Sequence, residues 1–139
     1  MKIEGAAELV CALPAQQWAV VTSGTRSLAM TRLKHTALPV PPVLITADDV
    51  GLGKPHPEAY LLASAKLGLV PETCIVVEDA PAGIKAAHAA GMRVVALTTT
   101  HREDDLGEAD ARAMHLTDIH LSPGDVGSSR CLRVRVTEL

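Results

Sequence analysis

The stretch Val76-Val77-Glu78-Asp79-Ala80-Pro81-Ala82-Gly83-Ile84 decides the architecture of this chain. It continues an apolar run, Cys74-Ile75-Val76-Val77, that is short enough for one buried parallel strand. Two adjacent carboxylates follow, and a helical segment opens at Pro81. Open α/β sheets place their ligands at the carboxyl ends of strands, and hard oxygen donors at such an edge suit Mg²⁺. Neighbouring carboxylates there repel unless a cation or a donor lies between them. The plain alternative is that Asp79 only caps the next helix.

The same alternation runs on either side. Residues 6–13 read as a short helix stopped at Pro14, and Gln17-Trp18-Ala19-Val20-Val21-Thr22 as a buried strand. Residues 26–38 fit an amphipathic helix, and Pro39, Pro41 and Pro42 break the chain before a second strand, Val43-Leu44-Ile45-Thr46-Ala47. A loop over 48–57 leads to a helix over 58–67, which Gly68 ends. After the strand at 74–78 comes a helix over 82–90, stopped by Gly91, and a fourth strand over 93–98. Strands alternating with helices predict a parallel sheet in a three-layer α/β sandwich with right-handed crossovers. Beyond Thr99 the pattern weakens. One more helix is expected over 104–114. The alternation of Leu132, Val134 and Val136 with Arg133, Arg135 and Thr137 predicts a half-exposed antiparallel strand at the sheet edge.

A chain of 139 residues is one domain or a piece of one, with 47% hydrophobic residues for a core. A net charge of −3 argues against nucleic acid or an anionic membrane as the main partner. Trp18 and Tyr60 are the only aromatic residues, so no platform for stacking bases exists. Cys11, Cys74 and Cys131 are odd in number and widely spaced, which predicts reduced thiols and a cytoplasmic location. The segment Met1-Lys2-Ile3-Glu4-Gly5 does not read as a signal peptide, and no window is long enough to span a bilayer.

Two further groups stand at predicted strand ends. Ser23 and Gly24 follow the first strand, where the amides of a strand-to-helix turn suit phosphate. Capping of the next helix by Thr22, Ser23 or Thr25 would explain the hydroxyls equally well. Lys54, fixed between Gly53 and Pro55, can neutralise a phosphate dianion and a nearby carboxylate together, although loop lysines are common. His56 beside it is a weaker substrate contact. His35 and His88 fall on predicted helices, and His101, His115 and His120 lack metal-ligand spacing. Finding Ser/Thr, then Lys, then Glu-Asp, each after a strand, is harder to attribute to chance than any one of them.

That order resembles motifs II, III and IV of the haloacid dehalogenase-like hydrolases. The resemblance extends over about residues 5–101, through Trp18-Ala19-Val20-Val21-Thr22-Ser23-Gly24-Thr25-Arg26, Thr46-Ala47-Asp48-Asp49-Val50, Gly53-Lys54-Pro55-His56-Pro57-Glu58-Ala59-Tyr60-Leu61 and Glu78-Asp79-Ala80-Pro81-Ala82-Gly83-Ile84. It is most similar to the phosphatases of glycerol phosphate and 2-deoxyglucose 6-phosphate, with β-phosphoglucomutases as near relatives. The resemblance implies a Rossmann-like core that hydrolyses small sugar or polyol phosphates through an aspartyl phosphate. It further implies that Ser23 and the Gly24 amide bind the phosphoryl group, Lys54 stabilises its charge, and Asp79, helped by Glu78, holds Mg²⁺. The family's nucleophile lies in a first motif, Asp-x-Asp-Gly-[Thr/Val], and no such run occurs in this sequence. The strand that carries it, central in the family's sheet between the strands here ending at Ser23 and Glu78, and the cap that follows it are therefore expected to be missing. Removing one strand leaves a gap of about 10 Å, to be closed, filled by a complementing segment or second chain, or left loose. A hexose-phosphate mutase and a non-catalytic phosphate-binding or partner-docking remnant are the alternative readings.

Overall fold

The computed structural model describes residues 5–11, 13–36, 38–39, 41–98, 106–126 and 129–136. After a first helix, α1 (Ala6–Cys11), the short apolar run β1 (Val20–Val21) leads through α2 (Arg26–Lys34) to β2 (Leu44–Ile45), which pairs with it in parallel. The helix α3 (Glu58–Leu67) connects this pair to a second unit of β3 (Ile75–Glu78), α4 (Pro81–Ala89) and β4 (Arg93–Leu97). Here Val76 lies opposite Val94, again in parallel. The α/β fold with parallel strands is as the sequence predicts. Gly68, in the left-handed region at φ 72, ends α3 while Leu69 N–H donates to Ser64 O at 2.9 Å, the wrap that only a residue without Cβ adopts cheaply.

The parallel sheet is in two pieces, β1-β2 and β3-β4 with a further strand, and among the described residues no ladder joins β1 to β3. Side chains bridge the break. Val21 packs against the cluster of Tyr60, Val76, Ile84 and Val94, and α3 touches β1, β2 and α4. Small residues such as Ala86, Ala87 and Ala96, all fully buried, let α4 lie close to the strands. β4 is covered on both faces, since Val94, Val95, Ala96 and Leu97 are all buried. β3 corrects the expectation of a fully buried strand. Val76 and Glu78 point inward, but Ile75 and Val77 remain 36% and 38% exposed because no element among the described residues covers that face of β3.

The helix expected over 104–114 is also corrected. Residues 111–113 instead form β5 (Ala111–Ala113), parallel to β4 on its far edge. Asp110 starts that ladder: its N–H donates to Val94 O at 3.0 Å and its Oδ2 accepts from Val94 N–H at 2.7 Å. An open edge on β4 thus outweighs the polar, helix-compatible composition of the segment. The tail forms a separate antiparallel hairpin of β6 (Ile119–Val126) and β7 (Ser129–Val136), with Leu121 opposite Val134. The tail strand is antiparallel as expected, but it pairs with β6 rather than with the edge of the parallel sheet. No helix among the described residues is long and apolar enough to cross a membrane.

Candidate functional site

The turn after β1 is fastened to the turn after β2. Ala47 N–H donates to Gly24 O at 2.9 Å, and Arg26 N–H donates to Asp48 Oδ2 at 2.8 Å. The Arg26 guanidinium also donates to Leu44 O at 3.1 Å and to Asp49 Oδ2 at 2.8 Å. Asp49 in turn accepts from the N–H and hydroxyl of the fully buried Thr46. These Thr46 bonds, followed by the Arg26 contact, hold the Asp49 carboxyl below its ordinary range. Thr25 caps α2 by accepting from Leu28 N–H, and Thr22 Oγ1 accepts from Gly24 N–H at 3.1 Å. The capping role therefore falls to Thr25, and Ser23 stands exposed at the turn.

Lys54 approaches from the loop before α3. Glu58, in the first turn of that helix, accepts from Gly51 N–H and Leu52 N–H at 2.9 Å each, which pins the loop and holds the Glu58 carboxyl below its ordinary range. His56 Nδ1 accepts from Glu58 N–H at 3.2 Å, so it braces the start of α3. Thr22, Ser23, Gly51, Gly53 and Lys54 then wall a cavity of about 130 Å³, whose apolar side is Ala47, Val50 and Ala59.

The Lys54 ammonium pairs with Glu78 Oε1 at the end of β3, and both side chains are largely buried. Tyr60 OH donates to the same oxygen at 2.6 Å, while Glu78 Oε2 accepts from Asp79 N–H at 3.1 Å and Ala80 N–H at 3.3 Å. Burial opposes the charge on Glu78, but the Lys54 and Tyr60 bonds outweigh it and hold the carboxyl below its usual range. Burial, reinforced by the Glu78 and Asp79 charges, pushes the Tyr60 phenol far up.

Gly83 makes this possible. A Cβ on it would lie 2.0 Å from Glu78 Cδ and 2.2 Å from Oε1, inside the carboxylate. Alanine in a helix interior normally stabilises by about 1 kcal/mol over glycine. Gly83→Ala is expected to reverse that sign and destabilise by about 1–3 kcal/mol, as overpacking does. Urea denaturation measures it, and a stabilised variant would place the Glu78 carboxylate elsewhere.

Of the residues singled out in the sequence, Ser23 and Lys54 meet in one cavity, and Glu78 joins them through Lys54. Gly24 lies at the same turn with its N–H already given to Thr22. Glu78, expected beside Asp79 at a cation, carries four donors, and Asp79 sits half-buried on the turn into α4. Sequence reasoning passed over Tyr60, Gly83 and Glu58 as site residues. A glycine inside a helical pattern is the signal that could have singled out Gly83.

A family model described as haloacid dehalogenase-like hydrolase matches residues 2–91. Hexitol phosphatase A of Escherichia coli (strain K12) is 48% identical over 93 residues, 67% of this chain and 43% of that protein. Glycerol-1-phosphate phosphohydrolase 2 of Saccharomyces cerevisiae is 42% identical over 118 residues, 78% of this chain and 47% of that protein. The chain thus spans about half the length of these curated relatives. The crystal structure of β-phosphoglucomutase from Clostridium difficile superposes with a TM-score of 0.69 at 25% identity, covering 82% of this chain and 50% of that one. The motifs at the strand ends and the match over most of their span agree: this chain belongs to the haloacid dehalogenase-like hydrolase family.

Proposed function

We propose that this chain supplies the phosphate-binding part of a phosphomonoester hydrolase acting on small sugar or polyol phosphates. The observation that carries the reading is that Ser23 and Lys54, distant in sequence, wall one cavity. That volume is well above the about 10–15 Å³ that a single water needs, so the cavity admits a small anion such as phosphate beside the exposed Ser23. Ser23 donates its hydroxyl to a phosphoryl oxygen, and Lys54 offsets the dianion's charge. The Gly24 amide joins only by exchanging Thr22 Oγ1 for a phosphate oxygen. The substrate class follows the names of the relatives, a hexitol phosphatase and a glycerol-1-phosphate phosphohydrolase. The likeness to β-phosphoglucomutase favours a hexose-phosphate mutase as the second reading, one that would use the same pocket.

Mg²⁺ does not fit the donors of this chain as a complete site. Among the described residues no three His, Cys, Asp or Glu side chains lie close enough to hold a metal ion, and the Glu78 carboxylate is already held by four donors. Asp79 would supply one carboxylate, and water would fill most of the octahedron. A complementing segment or second chain would bring the remaining ligands along with the missing strand.

The test is an amide NMR titration with inorganic phosphate. The Ser23 and Gly24 signals are expected to shift, and Lys54→Ala to weaken binding about tenfold or more, as loss of a charge-assisted contact does. Mg²⁺ is expected to bind weakly and to lose that binding in Asp79→Asn. Shifts scattered over the surface would show that no pocket is preformed, and equal Mg²⁺ binding by both proteins would remove Asp79 from the site.

A further inference from the structure

We propose that Tyr60 is the positioning residue of this pocket: its ring face and its hydroxyl together fix the Lys54 ammonium where a phosphate dianion enters. The proposal rests on the phosphate-pocket reading above. Tyr60 is 5% exposed on α3, in the cluster that contains Val76, Ile84 and Val94, so its ring is a fixed surface. Lys54 Nζ lies 5.0 Å from the ring centroid, within the about 6 Å over which an aromatic face attracts a cation. Tyr60 OH donates at 2.6 Å to Glu78 Oε1, the same oxygen that pairs with Lys54.

These contacts form a closed arrangement. A lysine is a point charge on a flexible four-carbon stem and is not directional by itself. Here the ring bounds the ammonium on one side and Glu78 on another. Tyr60 OH, with the Asp79 and Ala80 amides, stops the carboxylate from turning. An ammonium has three N–H donors, so pairing with one carboxylate oxygen leaves donors for an oxyanion in the cavity. Without the phenol, the Asp79 and Ala80 amides still hold Oε2, but Oε1 keeps only the ammonium, so the carboxylate can tilt and draw the ammonium away from the cavity. Phenylalanine keeps the ring contact and loses that restraint, whereas leucine loses both.

The test uses the whole 139-residue chain with Tyr60→Phe and Tyr60→Leu, free of metal. The Lys54 ¹H–¹⁵N ammonium resonance reports the pinning directly, and inorganic phosphate affinity reports its consequence. Tyr60→Phe is expected to stay folded, broaden the ammonium resonance and weaken phosphate binding about three- to tenfold. Tyr60→Leu is expected to be weaker still, so that phenylalanine is a partial rescue. A folded Tyr60→Phe with the wild-type ammonium resonance would overturn the proposal, whatever Tyr60→Leu does. If the wild-type chain binds no phosphate, the pocket reading falls while the ammonium resonance still decides the role of Tyr60.

Discussion

Incubated in excess Mg²⁺ with glycerol phosphate, 2-deoxyglucose 6-phosphate or a chromogenic phosphate ester, the purified chain is expected to release no phosphate above background. The family resemblance implies a covalent route through an aspartate of an Asp-x-Asp-Gly run, and the sequence contains no such run. Residues that act with a nucleophile lose most of their effect without it, and such losses reach about 10⁴- to 10⁶-fold. Lys54 cannot substitute, because its ammonium is paired with Glu78 and faces the Tyr60 ring. Turnover is expected to return when a segment bearing Asp-x-Asp-Gly is fused or added. Its strand is expected to enter the break between β1 and β3, which no ladder spans among the described residues. Robust turnover by the chain alone, lost in Asp79→Asn, would show that the nucleophile has been misidentified.

The strands and helices were legible because their apolar runs are short and bounded by Pro and Gly. Helix α3 begins and ends at the residues the pattern marks, from Glu58 to the glycine after Leu67. The segment at 104–114 was not legible, since its fate depends on an open edge of β4 that no local pattern reveals. Burial of β3 was misread for a related reason. Four apolar residues in a row describe a strand covered on both faces, but a cover is a property of neighbours, and Ile75 and Val77 have none among the described residues. At the site, Ser23 and Lys54 were readable as residue types at strand ends. The partnership of Lys54 with Glu78 and Tyr60 depends on how α3 sits against β3, and only the fold supplies that distance.

Lys54→Ala is expected to destabilise the chain by about 3 kcal/mol at neutral pH, the low end of what removing one partner of a buried ion pair costs. The low end applies because Tyr60 OH and two amides still donate to Glu78 after the ammonium is gone. The effect should shrink in acid. In the wild-type chain the Glu78 carboxyl is held below its ordinary value of 4.5, so its contribution is present above that pH and fades as pH falls through the folded value. In Lys54→Ala burial faces less opposition and raises the carboxyl's proton affinity. The buried charge can then be neutralised under conditions where the wild type is losing its ion pair. The stability gap is therefore expected to be widest near pH 7 and much smaller near pH 4. Replacing both partners removes the charge without stranding it, so Lys54→Met with Glu78→Gln should recover most of the loss at pH 7. Urea unfolding of the three proteins at both pH values measures every arm. A Lys54→Ala chain within about 0.5 kcal/mol of wild type at pH 7, the scatter of ordinary surface changes, would mean that the Lys54–Glu78 pair is solvated and does not hold the pocket together.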